Sequence, residues 1–167
     1  MNLEDLSIHI QDLRDSVQFL RYVSMPQLNT LGVDFVKHAG AFTQDQFTGR
    51  SRRREPPEFP QLSHLSITCV DEPTQPIVGL DHLLTTTPNL QSLKLSHLDQ
   101  WDLIVDAITS PPYPCPTLSL LELADNADAL PHTNLSHHID RLREYRGPES
   151  ICPIECIRVV QSSRKAN

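Results

Sequence analysis

Apolar residues recur along this chain in one short pattern: an apolar residue, two further residues, a second apolar residue, one residue, and a third apolar residue. Four segments carry this pattern with a proline two residues before it, and two carry it without that proline: 26–33, 60–67, 88–95 and 116–123, then 3–8 and 154–159. The first apolar positions are 3, 28, 62, 90, 118 and 154, so the units are 25, 34, 28, 28 and 36 residues apart. Two successive spacings of 28 with matched prolines indicate an internal repeat.

The pattern predicts one short strand in each unit. Side chains of a strand alternate between its two faces, so the last two apolar residues of a unit point the same way. The template Leu-x-x-Leu-x-Leu is that of a leucine-rich repeat, whose units bury their apolar face only by stacking on one another. We therefore predict an α/β fold, a leucine-rich-repeat solenoid of about six irregular units over residues 1–162. It has short parallel strands on one face and helices or irregular returns on the other. The prolines are expected to stop any helix that precedes a strand.

The segments between the predicted strands carry helical spacing. Apolar residues recur at three- and four-residue intervals in segments 12–22, 99–109 and 134–145, which we predict to be amphipathic helices. A shorter apolar piece, 77–84, precedes the fourth strand. The return segments are therefore expected to be at least partly helical.

Segment 37–58 differs from the other returns because it is poor in apolar residues. We interpret it as an inserted, solvated loop that accounts for the spacing of 34 residues. Its arginine-rich run, Arg50 to Arg54, is either a nuclear-import signal or part of the solvated loop. Residues 163–167 are predicted to be a disordered tail.

Composition and charge exclude several classes of function. The chain has 167 residues, of which 38% are hydrophobic and 5% aromatic, and its formal net charge is −7 at pH 7. A negative chain is a poor partner for nucleic-acid phosphates, and no apolar run approaches the ~18 residues of a membrane helix. The cysteines are too few and too scattered for a disulfide scaffold, and the N-terminus lacks the layout of a signal peptide. We expect a cytoplasmic or nuclear protein that binds neither nucleic acid nor membranes.

The positions between the apolar residues are where a partner would bind, because stacked units align them on one exposed face. The row between the last two apolar positions is Ser7, Gly32, Ser66, Lys94, Glu122 and Arg158. The row two positions earlier is Asp5, Thr30, His64, Ser92, Leu120 and Cys156, and the row after the last apolar position is His9, Asp34, Thr68, Ser96, Ala124 and Val160. Alternating charges beside an apolar anchor suit a protein interface, so we predict a protein-binding site made of Lys94, Glu122, Arg158, Leu120, His64 and Ser92. Alternatively, the three charged residues form a salt-bridge ladder between adjacent strands.

Catalysis has less support. The sequence contains no glycine-rich phosphate loop, no nucleophile elbow and no zinc-protease motif. Cys152 and Cys156 lack the spacing of a zinc knuckle. The adjacent His137 and His138 point about 100° apart on a helix and so do not chelate one metal well, and we expect both to be ordinary exposed histidines. Cys156 and His64 have two strands between them, so their backbones are about 15 Å apart, too far for a nucleophile and its base. We predict no enzyme activity, no metal and no cofactor.

The four proline-containing segments, MPQLNTLGV, FPQLSHLSI, TPNLQSLKL and CPTLSLLEL, resemble the repeat region of F-box/leucine-rich-repeat proteins, especially the divergent fungal type. The resemblance covers roughly residues 1–162. In that family an N-terminal F-box docks on the adaptor of a cullin-type ubiquitin ligase, and the repeats hold the substrate. The first residues of this chain already fit a repeat strand, so an F-box would have to precede the chain for the adaptor to bind.

The leading hypothesis is therefore a protein-binding leucine-rich-repeat module, of the kind that recognises substrates for an F-box-type ubiquitin ligase receptor. Two alternatives stay open. One is a truncated structural remnant that self-associates through an exposed edge and has no selected partner. The other, with the least support from the residues, is an enzyme.

Overall fold

The computed structural model describes residues 3–12, 25, 27–37, 59–70, 80–98, 101–111, 113–126 and 135–162. Its strands are β1 (Asp5–Asp12), β2 (Thr30–Lys37), β3 (His64–Cys69), β4 (Ser92–Ser96), β5 (Leu120–Asn126) and β6 (Cys156–Ser162). The helices in the described ranges are α1 (Leu80–Thr85), α2 (Trp101–Thr109) and α3 (Leu135–Arg146).

Four predicted features fall wholly or almost wholly outside these ranges. The predicted helix 12–22 and the predicted loop 37–58 are described only at Asp12 and Lys37, which end β1 and β2. The tail 163–167 and the arginine-rich run 50–54 are not among the described residues. These predictions stay predictions.

The six strands form one open sheet in chain order, and every neighbouring pair is parallel. All six lie where the repeated pattern predicts a strand, and the α/β character of the fold is confirmed. The register is the same throughout: Leu31 of β2 pairs with Leu65, Leu65 with Leu93, and Leu93 with Leu121. Equivalent positions of successive units therefore lie directly beside each other.

One face of the sheet carries the core. The residues at the three apolar positions of the four middle units are almost fully buried: Leu28, Leu31, Val33, Leu62, Leu65, Ile67, Leu90, Leu93, Leu95, Leu118, Leu121 and Leu123. In the two outer units the coverage is lower, since Leu3 and Val159 are each 40% exposed, although Ile154 is buried. Burial of a unit thus depends on having a neighbour on both sides, as the stacking argument requires.

A tight turn precedes each of the four middle strands. The backbone N–H of the first apolar residue donates to the carbonyl three residues earlier, as Leu62 does to Phe59 at 3.1 Å and Leu90 does to Thr87 at 3.2 Å. Pro60 therefore occupies the second position of a β-turn, where the fixed φ of proline already matches the turn. Pro60, Pro88 and Pro116 have this role in addition to the helix-stopping role expected from the sequence.

Backbone carbonyls between the turn and the strand connect one unit to the next. The carbonyl of Asn29 accepts hydrogen bonds from the N–H groups of Ser63 and His64, at 2.9 and 3.1 Å. The carbonyl of Ser63 accepts in the same way from Gln91 and Ser92, both at 2.9 Å. The two-donor arrangement also occurs in the units before and after these. It holds consecutive strands in one register from their first residue.

The polar residue that follows the proline adds a side-chain link between units. Asn89 donates from Nδ2 to the carbonyl of Pro60 at 2.8 Å. Thr117 donates from Oγ1 to the carbonyl of Pro88 at 3.2 Å, one unit further along. Both hydrogen bonds reach the same position in the preceding unit. The residue after the proline therefore joins adjacent units and is not part of the binding face.

Helices α2 and α3 pack against each other beside the sheet. The apolar residues that recur at helical spacing in α2 are buried as predicted, whereas Leu103 is 43% exposed. The buried residues are Trp101, Ile104, Val105 and Ile108. Across the helix pair, Arg141 reaches two acidic residues of α2, with Nη2 at 2.6 Å from Asp106 Oδ1 and Nη1 at 3.5 Å from Asp102 Oδ1. Within the described ranges no helix has the length and apolar character needed to span a membrane.

Arg146, the last residue of α3, is fully buried. Its guanidinium donates to three backbone carbonyls, those of Cys152, of Ile108 at 3.0 Å and of Cys115 at 2.9 Å. It also lies over the ring of Tyr113, 5.0 Å from the centroid. No carboxylate of the described residues pairs with it, and burial lowers the pKa of the guanidinium.

These contacts join three parts of the fold. Ile108 lies in the last turn of α2, where free carbonyls form the negative end of the helix dipole and favour a cation. Cys115 begins the turn before β5, and the carbonyl of Arg146 accepts from the N–H of Ile154 at 2.7 Å. A Cβ at the next residue, Gly147, would collide with the carbonyl oxygen of Arg143, so glycine ends the helix here.

Replacing the buried guanidinium should destabilise the protein strongly. We expect Arg146→Met to lower the free energy of unfolding by about 2–5 kcal/mol, because three buried carbonyls lose a charged donor. The free energy of unfolding of Arg146→Lys should lie between those of the wild type and Arg146→Met. An ammonium keeps the charge but cannot reach three diverging carbonyls with the geometry of a guanidinium. The measurement is urea unfolding followed by circular dichroism.

Arg143→Met is the matched control, because Arg143 lies in the same helix with 67% of its side chain exposed. It should unfold at nearly the wild-type urea midpoint. Equal midpoints for Arg143→Met and Arg146→Met would contradict the structural role assigned to Arg146.

Candidate protein-binding face

The face of the sheet opposite the core carries the predicted site. The first predicted row is in register, since Ser66 pairs with Lys94, Lys94 with Glu122, and Glu122 with Arg158. The second row is also in register along β3 to β6: His64, Ser92, Leu120 and Cys156. The strands thus place the predicted binding residues on four consecutive strands. We call Lys94, Glu122, Arg158, Leu120, His64 and Ser92 the strand-face patch.

The charged part of the strand-face patch is centred on Glu122. Lys94 Nζ lies 2.7 Å from Glu122 Oε1, and Arg158 Nη1 lies 3.4 Å from Glu122 Oε2. The Glu122 side chain is only 16% exposed, whereas those of Lys94 and Arg158 are 47% and 58% exposed. The salt-bridge ladder considered from the sequence is therefore present.

The ladder leaves a positive charge on the face. The hydrogen bond from Lys94 lowers the pKa of the Glu122 carboxyl, and the charges of Lys94 and Arg158 lower it further against the opposing effect of burial. Glu122 is thus ionised at neutral pH and is flanked by two cations, so the three side chains carry a net charge of +1. The ladder is compatible with the binding of an anion, because Glu122 neutralises only one of the two positive charges.

The apolar part of the strand-face patch is Leu120, which is half-buried and lies two residues before Glu122 on β5. Residues two apart in a strand face the same side and are separated by about 6.6 Å. The neighbours of Leu120 in its row are Ser92, half-buried, and Cys156, exposed. Because these neighbours are small, they leave part of Leu120 accessible.

The part of the face on β1 to β3 has a different character. His9 Nδ1 lies 3.2 Å from Asp34 Oδ2. Asp5 is exposed on the same face of β1, four residues before His9. His64 Nδ1 lies 2.6 Å from Ser63 Oγ. The His9–Asp34 pair was not predicted from the sequence, although the two residues occupy the same position in adjacent units and the register alone predicts their contact.

Two residues of the third predicted row are not accessible. Ser96 and Ala124 follow the last apolar position of β4 and β5 and were expected on the exposed face, but they are 4% and 5% exposed. That expectation was wrong because alternation along a strand fixes only the side of the sheet, whereas tertiary packing decides whether that side is covered. Thr68, in the same row of β3, is half-buried.

Cysteines and histidines provide little chemistry in the described part of the chain. Burial raises the pKa of the Cys115 thiol to about 11, so the thiol is protonated at neutral pH and donates to the carbonyl of Leu84 at 3.4 Å. His138 is buried with Nδ1 3.5 Å from Asp102 Oδ1, which corrects the expectation that His137 and His138 are both exposed. Across the described ranges no group of three or more metal-ligating side chains is found.

Comparison of the chain with protein-family models, with curated proteins and with solved structures finds no match. The functional argument therefore rests on the strand register and on the charge and exposure of the strand-face patch.

The ion pairs at Glu122 predict a pH dependence of stability. Because the pKa of Glu122 is lowered on folding, its ionised form stabilises the protein above the ordinary pKa, and this contribution is lost as pH falls through the lowered value. Glu122→Gln should therefore lose less stability than the wild type between neutral and acid pH. The difference should be at most about 1 kcal/mol, because largely exposed ion pairs contribute little.

The measurement is urea unfolding at a series of pH values for Glu122→Gln and for the wild type. The control is the double variant Lys94→Gln/Arg158→Gln, in which adding Glu122→Gln should no longer change the pH dependence. An identical acid loss for wild type and Glu122→Gln would mean that these ion pairs do not form in solution.

Proposed function

We propose that this chain is a leucine-rich-repeat solenoid that binds a protein partner on the exposed face of its sheet, through the strand-face patch. The observation that carries the proposal is the arrangement on β4 to β6, where two half-exposed cations flank one carboxylate beside the partly exposed Leu120. Charged side chains next to an apolar anchor are typical of protein interfaces.

The repeat nature of the fold supports the proposal. Six parallel strands share one register, and the turn and the carbonyl link recur at equivalent positions of successive units. In stacked-repeat proteins the aligned strand positions form an extended binding surface. The cytoplasm or the nucleus is the compartment in which we expect the partner.

Removing the charges of the strand-face patch should abolish partner capture. In the triple variant Lys94→Gln/Glu122→Gln/Arg158→Gln the side-chain length is kept while the ion pairs and the surplus positive charge are lost. Proteins retained from a lysate of the native source by the wild-type chain should no longer be retained, whereas the melting temperature should change little.

The control for this experiment is Arg143→Gln/Glu144→Gln, which removes two exposed charges from α3. It should capture the same proteins as the wild type. Quantitative mass spectrometry of the retained proteins is the measurement, and unchanged capture by the triple variant would remove the strand-face patch as the binding site.

We also propose a narrower role for the module, that of the substrate-recognition part of an F-box-type ubiquitin ligase receptor. It rests on the resemblance of the four proline-containing segments to the repeats of that family. Mapping the 5′ end of the native transcript tests it. An upstream coding exon with an F-box-like helical segment would support the role, and a transcript that begins at Met1 would remove the link to the ligase.

The alternative function, self-association without a selected partner, has one observation in its favour. Apolar residues are partly exposed at both edges of the sheet: Leu3, just before β1, at 40%, and Val159 and Val160 of β6 at 40% and 36%. Exposed apolar strand edges favour association of copies. Sedimentation velocity distinguishes the two functions, because a monomer at all concentrations would contradict self-association.

A further inference from the structure

Charge is unevenly distributed over the exposed face of the sheet. On β1 and β2 the charged side chains of this face include Asp5 and Asp34, the latter paired with His9. On the same face of β4 to β6, the charged side chains that the structure describes are the cations Lys94 and Arg158 around Glu122. An acidic ligand is therefore attracted to β4–β6 and repelled from β1–β2. This asymmetry favours a partner with a negative charge and directs it to β4–β6.

The apolar part and the charged part of the strand-face patch are both centred on β5. Leu120 and Glu122 both belong to β5 and face the same side, with Cα atoms about 6.6 Å apart. Lys94 and Arg158 lie on either side of Glu122, each one strand away. A ligand that covers Leu120 and also reaches the two cations must therefore run along β5 rather than across the strands.

An extended peptide has the matching geometry. Its side chains point to the same side at every second residue, with a repeat of about 6.6 Å, the separation of Leu120 from Glu122. A helical ligand presents its neighbours three or four residues apart and about 5–6 Å from each other, which matches the separation on β5 less closely. The spacing on β5 therefore favours a partner in an extended conformation.

Resting on the proposed function, we propose that the partner segment is an extended acidic peptide with a carboxylate and an apolar side chain two residues apart. The carboxylate lies between Lys94 and Arg158 above Glu122, and the apolar side chain packs on Leu120. Ser92 and Cys156 leave room beside Leu120 because both are small. The order of the two ligand residues depends on the direction in which the peptide runs along β5.

The first test is a displayed library of random linear peptides, selected on the full chain and counter-selected on the triple variant Lys94→Gln/Glu122→Gln/Arg158→Gln. Peptides that depend on the strand-face patch should be enriched in Asp or Glu two residues from an apolar residue, in either order. Patch-dependent peptides without this spacing, or with basic residues, would overturn the inference and leave the proposed function intact. Absence of any patch-dependent peptide would also overturn the inference, whereas the proposed function is decided by the capture experiment with the triple variant.

The second test uses the enriched peptide, fluorescently labelled, in an anisotropy titration. A permuted peptide with its acidic and apolar residues adjacent should bind about tenfold more weakly or worse, because the two side chains then point to opposite sides. Arg158→Gln and Leu120→Ser should each weaken the original peptide by a similar factor, and added salt should weaken it progressively.

Arg143→Gln is the charge-matched control for Arg158→Gln, because it removes an exposed arginine from α3. It should leave the affinity of the enriched peptide unchanged, and the thermal transitions of all variants should stay close to that of the wild type. Equal affinity for the original and permuted peptides would contradict the extended arrangement along β5.

Discussion

The shared register of the six parallel strands is the constraint on which the rest of the structure depends. Alternation along a strand means that a slip of one residue would turn the leucines toward solvent and the charged row toward the core. Two kinds of hydrogen bond between units recur and hold the register. Carbonyls such as that of Ser63 accept two N–H groups from the following unit, and side chains such as Asn89 reach back to the preceding one. The same register therefore aligns the core on one face of the sheet and the strand-face patch on the other.

The last unit follows the register although it lacks the turn of the middle units. In those units the N–H of the first apolar residue donates to the carbonyl three residues earlier, whereas Ile154 donates to the carbonyl of Arg146, at the end of α3. The guanidinium of Arg146 meanwhile holds the end of α2 and the turn before β5. At this end of the sheet the backbone carbonyl of Arg146 thus replaces the turn carbonyl of the middle units, while the buried guanidinium holds the end of α3 in place. Since β6 carries Arg158, this contact also supports one side of the strand-face patch.

The strands and the rows of side chains could be predicted from the sequence because each depends on a local pattern repeated six times. Pairing equivalent positions was then enough to place Lys94 beside Glu122 and Glu122 beside Arg158. The role of Arg146 could not be predicted, because its three acceptors are backbone carbonyls, two of them in distant segments, and no residue type marks them. The burial of Ser96 and Ala124 was missed for a related reason, since alternation gives the side of the sheet and says nothing about what covers it. The contacts of Arg141 with Asp102 and Asp106 likewise require knowing that α2 and α3 are neighbours.

The register is tested most directly by nuclear Overhauser effects in the isotopically labelled chain. The account predicts contacts between the methyl groups of Leu93 and Leu121 on the core side, and between the side chains of Lys94 and Glu122 on the exposed side. Contacts of Leu93 with residue 120 or 122 in place of Leu121 would reveal a shifted register. That result would contradict both the fold and the strand-face patch.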